Sequence, residues 1–248
     1  MTPLEAAALP GLPEVRPGDD LAALLLAAAA RLPEPGLRRG DVLAVAHKVV
    51  SKAEGRVRRL ADVTPGDRAL ALAREHGKDP RLVELILSES AALVRADRGR
   101  LICRTHRGFV CANAGVDQSN AGGEGWAVLL PVDPDASARA LRARLGCAVV
   151  VSDSFGRAWR VGQAEIAIGC AGLAPTEDWR GRPDVHGREL HATHIAIADE
   201  AASAADVVRG KDSREPAVRL RGLERHVLDH DGPGAGALMR PAADDLFA

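Results

Sequence analysis

The segment Cys147-Ala148-Val149-Val150-Val151-Ser152-Asp153-Ser154-Phe155-Gly156-Arg157 joins an apolar run, typical of a buried strand, to a polar turn. A second segment, residues 105–120, shows the same pattern and carries Asp117 in its turn. Each turn places one carboxylate among hydroxyls, amides and glycines. Such oxygen ligands suit Mg²⁺ or Mn²⁺, which takes one or two protein carboxylates beside waters and phosphates. Arg157 and Arg160 add the positive charge that an anionic ligand needs. A metal and phosphate site is therefore the first hypothesis.

The rest of the chain predicts a mixture of helices and strands. Asp19 and Asp20 are expected to cap a helix that ends near Arg31, because acidic residues favour the N-terminal end of a helix. Since helices and strands do not alternate strictly, the sequence favours an α+β fold over a doubly wound sheet. Further helices are predicted at 65–76, 80–93, 135–145 and 199–209, and strands at 41–50, 101–112, 126–130, 147–152, 162–169, 191–198 and 217–221.

Composition excludes several classes of protein. The chain has 248 residues, enough for one large domain or two unequal ones. Its 33 basic and 34 acidic residues argue against a broad basic field for nucleic acid, and three Trp, three Phe and no Tyr leave few side chains for base stacking. The apolar residues 21–32 are too few to span a bilayer and lack the basic start of a signal peptide. The four cysteines form no C-x-x-C pair. We therefore expect a cytoplasmic protein with reduced thiols, no membrane and no nucleic-acid partner.

Familiar catalytic and nucleotide motifs are absent. Gly210-Lys211-Asp212 lacks the earlier glycine and the hydroxyl residue of a P-loop. His191 and His194 are three apart in a predicted strand, so they point to opposite faces and disfavour a shared zinc ion. Structural alternatives also stay open, because Asp117 and Asp153 could each cap the following segment, and Lys52 could be an ordinary surface lysine.

Four motifs together resemble the coenzyme F420-0:L-glutamate ligases, and the match runs from Gly11 to Gly222. They are Val50-Ser51-Lys52-Ala53-Glu54-Gly55-Arg56, Val110-Cys111-Ala112-Asn113-Ala114-Gly115-Val116-Asp117 with Ser119-Asn120, Ser152-Asp153-Ser154-Phe155-Gly156-Arg157, and Ala198-Asp199-Glu200. The resemblance implies two-domain α+β subunits in an intertwined homodimer. It also implies GTP-dependent addition of L-glutamate to coenzyme F420-0, with Mg²⁺ or Mn²⁺ and with K⁺.

Site residues follow from the resemblance by position. Asp117 and Asp153 would hold one divalent ion, with Ser154 near a second, and Lys52 and Arg157 would join the two aspartates in catalysis. The remaining predicted GTP contacts are Leu12, Pro13, Glu14, Val15, Ser51, Lys52, Arg56 and Asn120, and the loop Arg209, Gly210, Lys211, Asp212, Ser213, Arg214 and Glu215 would close over the nucleotide.

Lys211 departs from the resemblance, because some members place a carboxylate or an amide there that reaches the second cation. A protonated lysine cannot ligate a metal. The second cation would then depend on Asp212 or Glu215, or Lys211 would itself neutralise phosphate charge. No general base stands out, although His106 and Glu54 are candidates. A fused flavin-binding reductase domain, found in some relatives, is not expected in 248 residues. A nucleotide-binding regulator and a metal-dependent phosphohydrolase remain as rival functions.

Overall fold

Two aliphatic strands form the centre of the fold in this computed structural model, which describes residues 3–244. Strand β2 (Val42–Ala46) runs parallel to the first half of β8 (Ala148–Arg157). Leu43 and Val45 face one hydrophobic cluster, while Val42 and Ala44 face another on the opposite side of the sheet. Burial on both faces explains why these strands read as continuous apolar runs rather than as alternating patterns.

The central sheet has five strands in the order β1-β12-β2-β8-β9, and every neighbouring pair except β2 and β8 is antiparallel. Three smaller sheets pair β3 with β7, β4 with β5 and β6, and β10 with β11. The other strands are β1 (Glu5–Ala8), β3 (Val57–Arg59), β4 (Ser90–Asp97), β5 (Arg100–Thr105), β6 (Val110–Ala112), β7 (Trp126–Val128), β9 (Arg160–Ala171), β10 (Glu177–Asp178), β11 (His194–Ile195) and β12 (Ala217–Arg221).

Helices cover both faces of the central sheet. The cluster around Leu43 includes residues of α1 and α5, and the cluster around Val42 includes residues of α6. A third cluster joins α3 and α4 to the smaller sheets. In residues 3–244 the helices are α1 (Leu21–Ala29), α2 (His47–Ala53), α3 (Asp67–His76), α4 (Pro80–Ser88), α5 (Pro134–Leu145) and α6 (Ile197–Val208). None of these described helices has the length and apolar character needed to cross a membrane.

Several predicted elements match this mixed helix and sheet architecture. Strand β12 has the predicted bounds, and α5 starts one residue before the predicted helix. Asp20 caps α1 by accepting a hydrogen bond of 3.0 Å from the Ala23 amide, as its position before an apolar run predicts. The four cysteines are buried and free, as expected for reduced thiols.

The predicted strand 41–50 was too long. Strand β2 ends at Ala46, and α2 begins at His47. The buried side chains of His47, Val50 and Ser51 follow helical spacing, i, i+3 and i+4, which the apolar composition of the run conceals.

The predicted helix 80–93 was wrong beyond Ser88, where α4 ends. The Ser90 hydroxyl donates to the Ile86 carbonyl and the Glu89 amide to the Leu85 carbonyl, so the last turn is closed locally. Residues from Ser90 onward form β4 instead, because pairing with β5 overrides the helix propensity of alanine and leucine.

Two other predicted strands were wrong in part, and one predicted turn was wrong. The predicted strand 101–112 is two strands, β5 and β6, joined by a turn in which the Thr105 amide donates to the Phe109 carbonyl. The predicted strand 191–198 is reduced to β11, because α6 begins at Ile197. The predicted turn after Ser152 is absent, since β8 continues to Arg157 as one arm of a hairpin with β9. Asp153 therefore lies within a strand and not in a turn.

Candidate active site

The site forms where β2 ends, at the carboxyl end of its parallel pairing with β8. Ala46, the last residue of β2, pairs with Ser152, and Asp153 is the next residue of β8. His47 and Lys48 occupy the first turn of α2 directly after β2. In open sheets, the carboxyl ends of parallel strands are the usual place for ligand binding.

Asp117 reaches this point from the loop that follows β6. Its carboxylate accepts from Lys48 Nζ at 2.6 Å, from the Ser119 amide at 2.8 Å and from the Ser119 hydroxyl at 2.8 Å. Lys48 Nζ also donates to the carbonyl and hydroxyl oxygens of Ser119 at 3.0 and 2.6 Å. We call Lys48 with Asp117 and Ser119 the Lys48 site. Burial alone would raise the pKa of Asp117, but the hydrogen bonds from Lys48 and Ser119 hold that pKa below its usual value.

A tightly folded backbone presents Asp117. Asn113 and Ala114 adopt left-handed conformations with φ of 54° and 52°. At Gly115, which has φ of 74°, a Cβ atom would lie 2.5 Å from Leu130 Cγ, so only glycine fits. The Asp117 amide and carbonyl then exchange hydrogen bonds of 3.0 and 2.7 Å with Val128. Left-handed non-glycine residues in succession are strained, as is common at functional sites.

Asp153 approaches the same helix turn from β8. Its Oδ1 lies 3.3 Å from His47 Nε2 and accepts from the Ser154 amide at 2.8 Å. His47 is 2 % exposed, and its Nδ1 lies 3.3 Å from the Ser51 hydroxyl. Burial, followed by the negative charge of Asp153, raises the pKa of the Cys111 thiol to about 12, so that thiol stays protonated. The two aspartates predicted to hold the first ion thus lie beside consecutive residues, His47 and Lys48.

An aromatic contact holds the two sides of the site together. The rings of Phe109, before β6, and Phe155, in β8, meet edge to face with centroids 6.5 Å apart. This geometry is favoured by the ring quadrupoles and adds to the burial of both side chains.

Only some of the residues predicted to contact the nucleotide lie close to α2. Lys52 is buried and forms an ion pair with the exposed Glu14 carboxylate, so the segment of Leu12, Pro13, Glu14 and Val15 lies against α2. Ser51 is fully buried beside His47. The Asn120 side chain is exposed in the loop after Asp117, where its φ is 55°.

Arg56 lines a cleft of about 230 Å³ together with His106 and Arg107. Its guanidinium donates to Glu89 Oε2 at 2.6 Å and to the Leu130 carbonyl at 2.9 Å. Arg157 lies apart from Asp153, near the tip of the β8–β9 hairpin, and donates to the Val161 carbonyl at 2.8 Å. Four residues of strand separate it from Asp153, about 13 Å at roughly 3.3 Å per residue.

The loop 209–215 is fastened to β8 and β9 through Glu165. Arg209 Nη2 lies 2.6 Å from Glu165 Oε2 and 3.4 Å from the Ser152 hydroxyl. Lys211 Nζ lies 2.8 Å from Ser154 Oγ, 3.3 Å from Glu165 Oε1 and 3.3 Å from Asp206 Oδ1. We call Lys211 with Ser154, Glu165 and Asp206 the Lys211 site.

Glu165 is the buried carboxylate that binds Arg209 and Lys211 of the loop 209–215. Burial alone would raise its pKa, but the positive charge of Arg209 and the hydroxyls of Ser152 and Ser154, with Lys211, hold the pKa below its usual value. The other predicted loop residues bond within the loop or face solvent. The Gly210 carbonyl accepts a 3.0 Å hydrogen bond from the Ser213 hydroxyl, and the Glu215 amide donates to the same hydroxyl. Asp212 and Arg214 are exposed.

His47, Lys48 and Glu165 were missed by sequence reasoning. The first two were hidden inside the predicted strand 41–50. Glu165 had a detectable signal, because it is a single carboxylate within the apolar stretch Ala164-Glu165-Ile166-Ala167-Ile168 and a buried charge requires a partner.

The oxygens around Lys48 fit a cation. The Asp117 carboxylate and the two Ser119 oxygens already surround one positive charge, and Asp153 offers a second carboxylate at the neighbouring residue. Oxygen ligands with one or two carboxylates match Mg²⁺ or Mn²⁺. Within residues 3–244, no group of three or more His, Cys, Asp and Glu side chains is arranged to hold a metal.

Comparisons with a family model and with known proteins agree on the family of this chain. Residues 11–222 match the model of the F420-0:Gamma-glutamyl ligase family. The chain is 45 % identical to a coenzyme F420:L-glutamate ligase of Methanopyrus kandleri, over 94 % of this chain and 93 % of that protein. It is 44 % identical to one of Methanothermobacter thermautotrophicus, over 96 % of each, and 43 % identical to one of Natronomonas pharaonis, over 98 % of this chain and 94 % of that protein. The aspartates, the lysines and the loop described above all lie within the matched residues, and the chain belongs to the F420-0:gamma-glutamyl ligase family.

Proposed function

We propose that this chain is a GTP-dependent ligase that adds L-glutamate to coenzyme F420-0, and further γ-linked glutamates to the product. Family membership and the names of the relatives support the reaction class. The observation that carries the proposal is the convergence of Asp117 and Asp153 on His47 and Lys48 at the end of β2. This arrangement suits a reaction among anionic substrates around a cation.

Amide formation requires an activated carboxylate, because a carboxylate is a poor electrophile. The terminal carboxylate oxygen of F420-0 attacks the γ-phosphorus of GTP, the bond to the β-phosphate oxygen breaks, and GDP leaves. The glutamate amine then attacks the carbonyl carbon of the acyl phosphate. Inorganic phosphate leaves with the electron pair of the C–O bond, and the amine loses a proton. Phosphoryl transfer of this kind depends on positioning and on charge stabilisation.

Asp117 and Asp153 would hold one divalent ion, Mg²⁺ or Mn²⁺. When bound, it would screen the repulsion between substrates and stabilise charge on the transferring phosphoryl group. Lys48 would turn away from Asp117 to admit it. K⁺ is proposed as a further cation for the reaction, since the family resemblance implies it.

Other residues in the proposal bind and orient the nucleotide. Lys52 and Arg56 would add positive charge near GTP, and Arg157 would do so from the β8–β9 hairpin. The proposed GTP contacts also include Leu12, Pro13, Glu14, Val15, Ser51, Asn120 and the loop Arg209, Gly210, Lys211, Asp212, Ser213, Arg214 and Glu215. Two subdomains and an intertwined homodimer belong to the same proposal.

The experiment supplies GTP, Mn²⁺, L-glutamate and F420-0 to the full chain, and follows GDP release and product mass. We expect GDP release to require both acceptor and amino acid, with a mass gain of one glutamyl unit per addition. Asp117→Asn and Asp153→Asn should each lower turnover by at least about 100-fold, comparable to the loss of one charge-stabilising contact. Circular dichroism should show that both variants stay folded.

Asp229→Asn is the matched control, since Asp229 is exposed and pairs only with the exposed Arg39 among its described contacts. Near-normal glutamylation by Asp117→Asn would refute the metal assignment. Phosphate release from GTP without glutamate would indicate a phosphohydrolase, and nucleotide binding without turnover would indicate a regulator.

A further inference from the structure

The ammonium of Lys211 sits among oxygens from three different elements. Ser154 Oγ belongs to β8, Glu165 Oε1 to β9 and Asp206 Oδ1 to α6, at 2.8, 3.3 and 3.3 Å from Lys211 Nζ. Ser154 is the residue that the family resemblance places near a second divalent cation. The lysine therefore occupies the position in which such a cation would meet Ser154.

The charges around Lys211 are already balanced. Glu165 and Asp206 supply two carboxylates, and Arg209 and Lys211 supply two cations. Arg209 Nη2 lies 2.6 Å from Glu165 Oε2, and its Nε lies 3.7 Å from Asp206 Oδ1. Since Arg209 is buried with Glu165, its charge cannot be moved away without opening the network. No carboxylate of the Lys211 site is left over to attract a divalent ion.

The Ser154 hydroxyl already acts as both a donor and an acceptor. It donates its proton to Glu165 and accepts a hydrogen bond from Lys211. A hydroxyl has one proton and two lone pairs, so one lone pair of Ser154 remains, and a cation bound there would lie beside the ammonium of Lys211 and be repelled by it. A protonated lysine cannot become a ligand of that cation.

We propose that Lys211 takes the place of the second divalent cation, so that each chain binds one divalent ion and Lys211 supplies the positive charge beside Ser154. This inference rests on the proposed function, since the first ion is the one assigned to Asp117 and Asp153. Through the same contact, Lys211 holds the loop 209–215 against the strand that carries Asp153.

The test counts Mn²⁺ bound by the full chain in the presence of one equivalent of GDP, with GDP alone as the blank. Electron paramagnetic resonance measures free Mn²⁺ during the titration, so the readout does not depend on activity. Lys211→Gln removes the charge and supplies an amide oxygen, whereas Lys211→Arg keeps the charge. Lys78→Gln is the matched control, because Lys78 lies in the turn between α3 and α4, far along the chain from the site.

We expect one Mn²⁺ per chain for the wild type, for Lys211→Arg and for Lys78→Gln, and two for Lys211→Gln. Lys211 is 69 % exposed, so the glutamine variant should fold, which its thermal unfolding would verify. Two Mn²⁺ in the wild type would overturn the proposal whatever the variants do, and so would a single Mn²⁺ in folded Lys211→Gln. If the wild type binds none, the ion of the proposed function fails, while a gain of one in Lys211→Gln would still support the role of Lys211.

Discussion

The Lys48 site and the Lys211 site each surround an ammonium with three oxygens, but they differ in the burial of the carboxylate. The side chain of Asp117 is 45 % exposed, whereas that of Glu165 is 4 % exposed. Asp117 has Lys48 as its described cationic partner, while Glu165 shares Arg209 and Lys211. The pair of Lys48 and Asp117 is partly exposed and can be exchanged for another cation, whereas the buried pair of Glu165 and Arg209 is part of the fold, although Lys211 itself is 69 % exposed. The Lys48 site can therefore exchange its ammonium for another cation, whereas in the Lys211 site the lysine itself occupies the cation position.

The largest expected difference between the two sites is in stability. Glu165→Ala leaves the buried Arg209 with only the more distant carboxylate of Asp206, at 3.7 Å, and should lower the free energy of unfolding by about 3 kcal/mol, as breaking a buried pair does. Asp117→Ala should cost no more than about 1 kcal/mol, because the Lys48 pair is half exposed. Urea unfolding measures both. Equal losses in the two variants would remove the distinction between the sites.

Part of the stabilisation by Glu165 should depend on pH. The pKa of Glu165 is lower in the folded chain than in the unfolded chain, where a glutamate titrates near its ordinary value. Its ionised form therefore stabilises the fold fully above the unfolded pKa, and this stabilisation is lost as the pH falls through the folded pKa. The difference in unfolding free energy between wild type and Glu165→Gln should thus be constant from pH 7 to about 5.5 and shrink below roughly pH 4.5. A difference that does not change with pH would mean that Glu165 contributes by packing and not by charge.

The smallest expected effect concerns Lys48 as a competitor for the cation. Lys48→Gln removes the charge that Asp117 now holds at 2.6 Å. Mn²⁺ affinity of the nucleotide-free chain should rise by up to about fivefold, the equivalent of the roughly 1 kcal/mol that a half-exposed ion pair contributes. Calorimetric titration with Mn²⁺ provides the measurement. Unchanged or weaker binding would show that Lys48 does not occupy the cation position.

Much of the fold was predictable because its signals are local. The strand Ala217–Arg221 and the helix α5 follow from short-range patterns. The strand has apolar residues that alternate with arginines, and the helix has an Asp-Pro start and a final glycine. The strand β4 was not predictable in this way. Its alanines and leucine favour a helix, and they form a strand because β5 lies beside them.

The candidate site, like the fold, was predictable only where its signals are local in the sequence. Asp117 and Asp153 were recognisable as candidate ligands from residue type and neighbours, but their positions beside His47 and Lys48 depend on α2 beginning at His47, which a continuous apolar run concealed. The role of Glu165 depends on Arg209 and Lys211, which follow a long stretch of loop and helix. Local patterns identify which side chains can do chemistry, and only the tertiary fold shows which charges they meet.

The parallel pairing of β2 with β8 has a consequence for how the chain folds. Val42 pairs with Ala148, and Val45 pairs with Ala217, so both neighbours of β2 come from far along the chain. Contacts of such long range require large loops to close first, and they slow folding relative to local hairpins. During synthesis, β2 has neither of its strand neighbours until most of the polypeptide has been made, and its aliphatic side chains must be protected from aggregation until then.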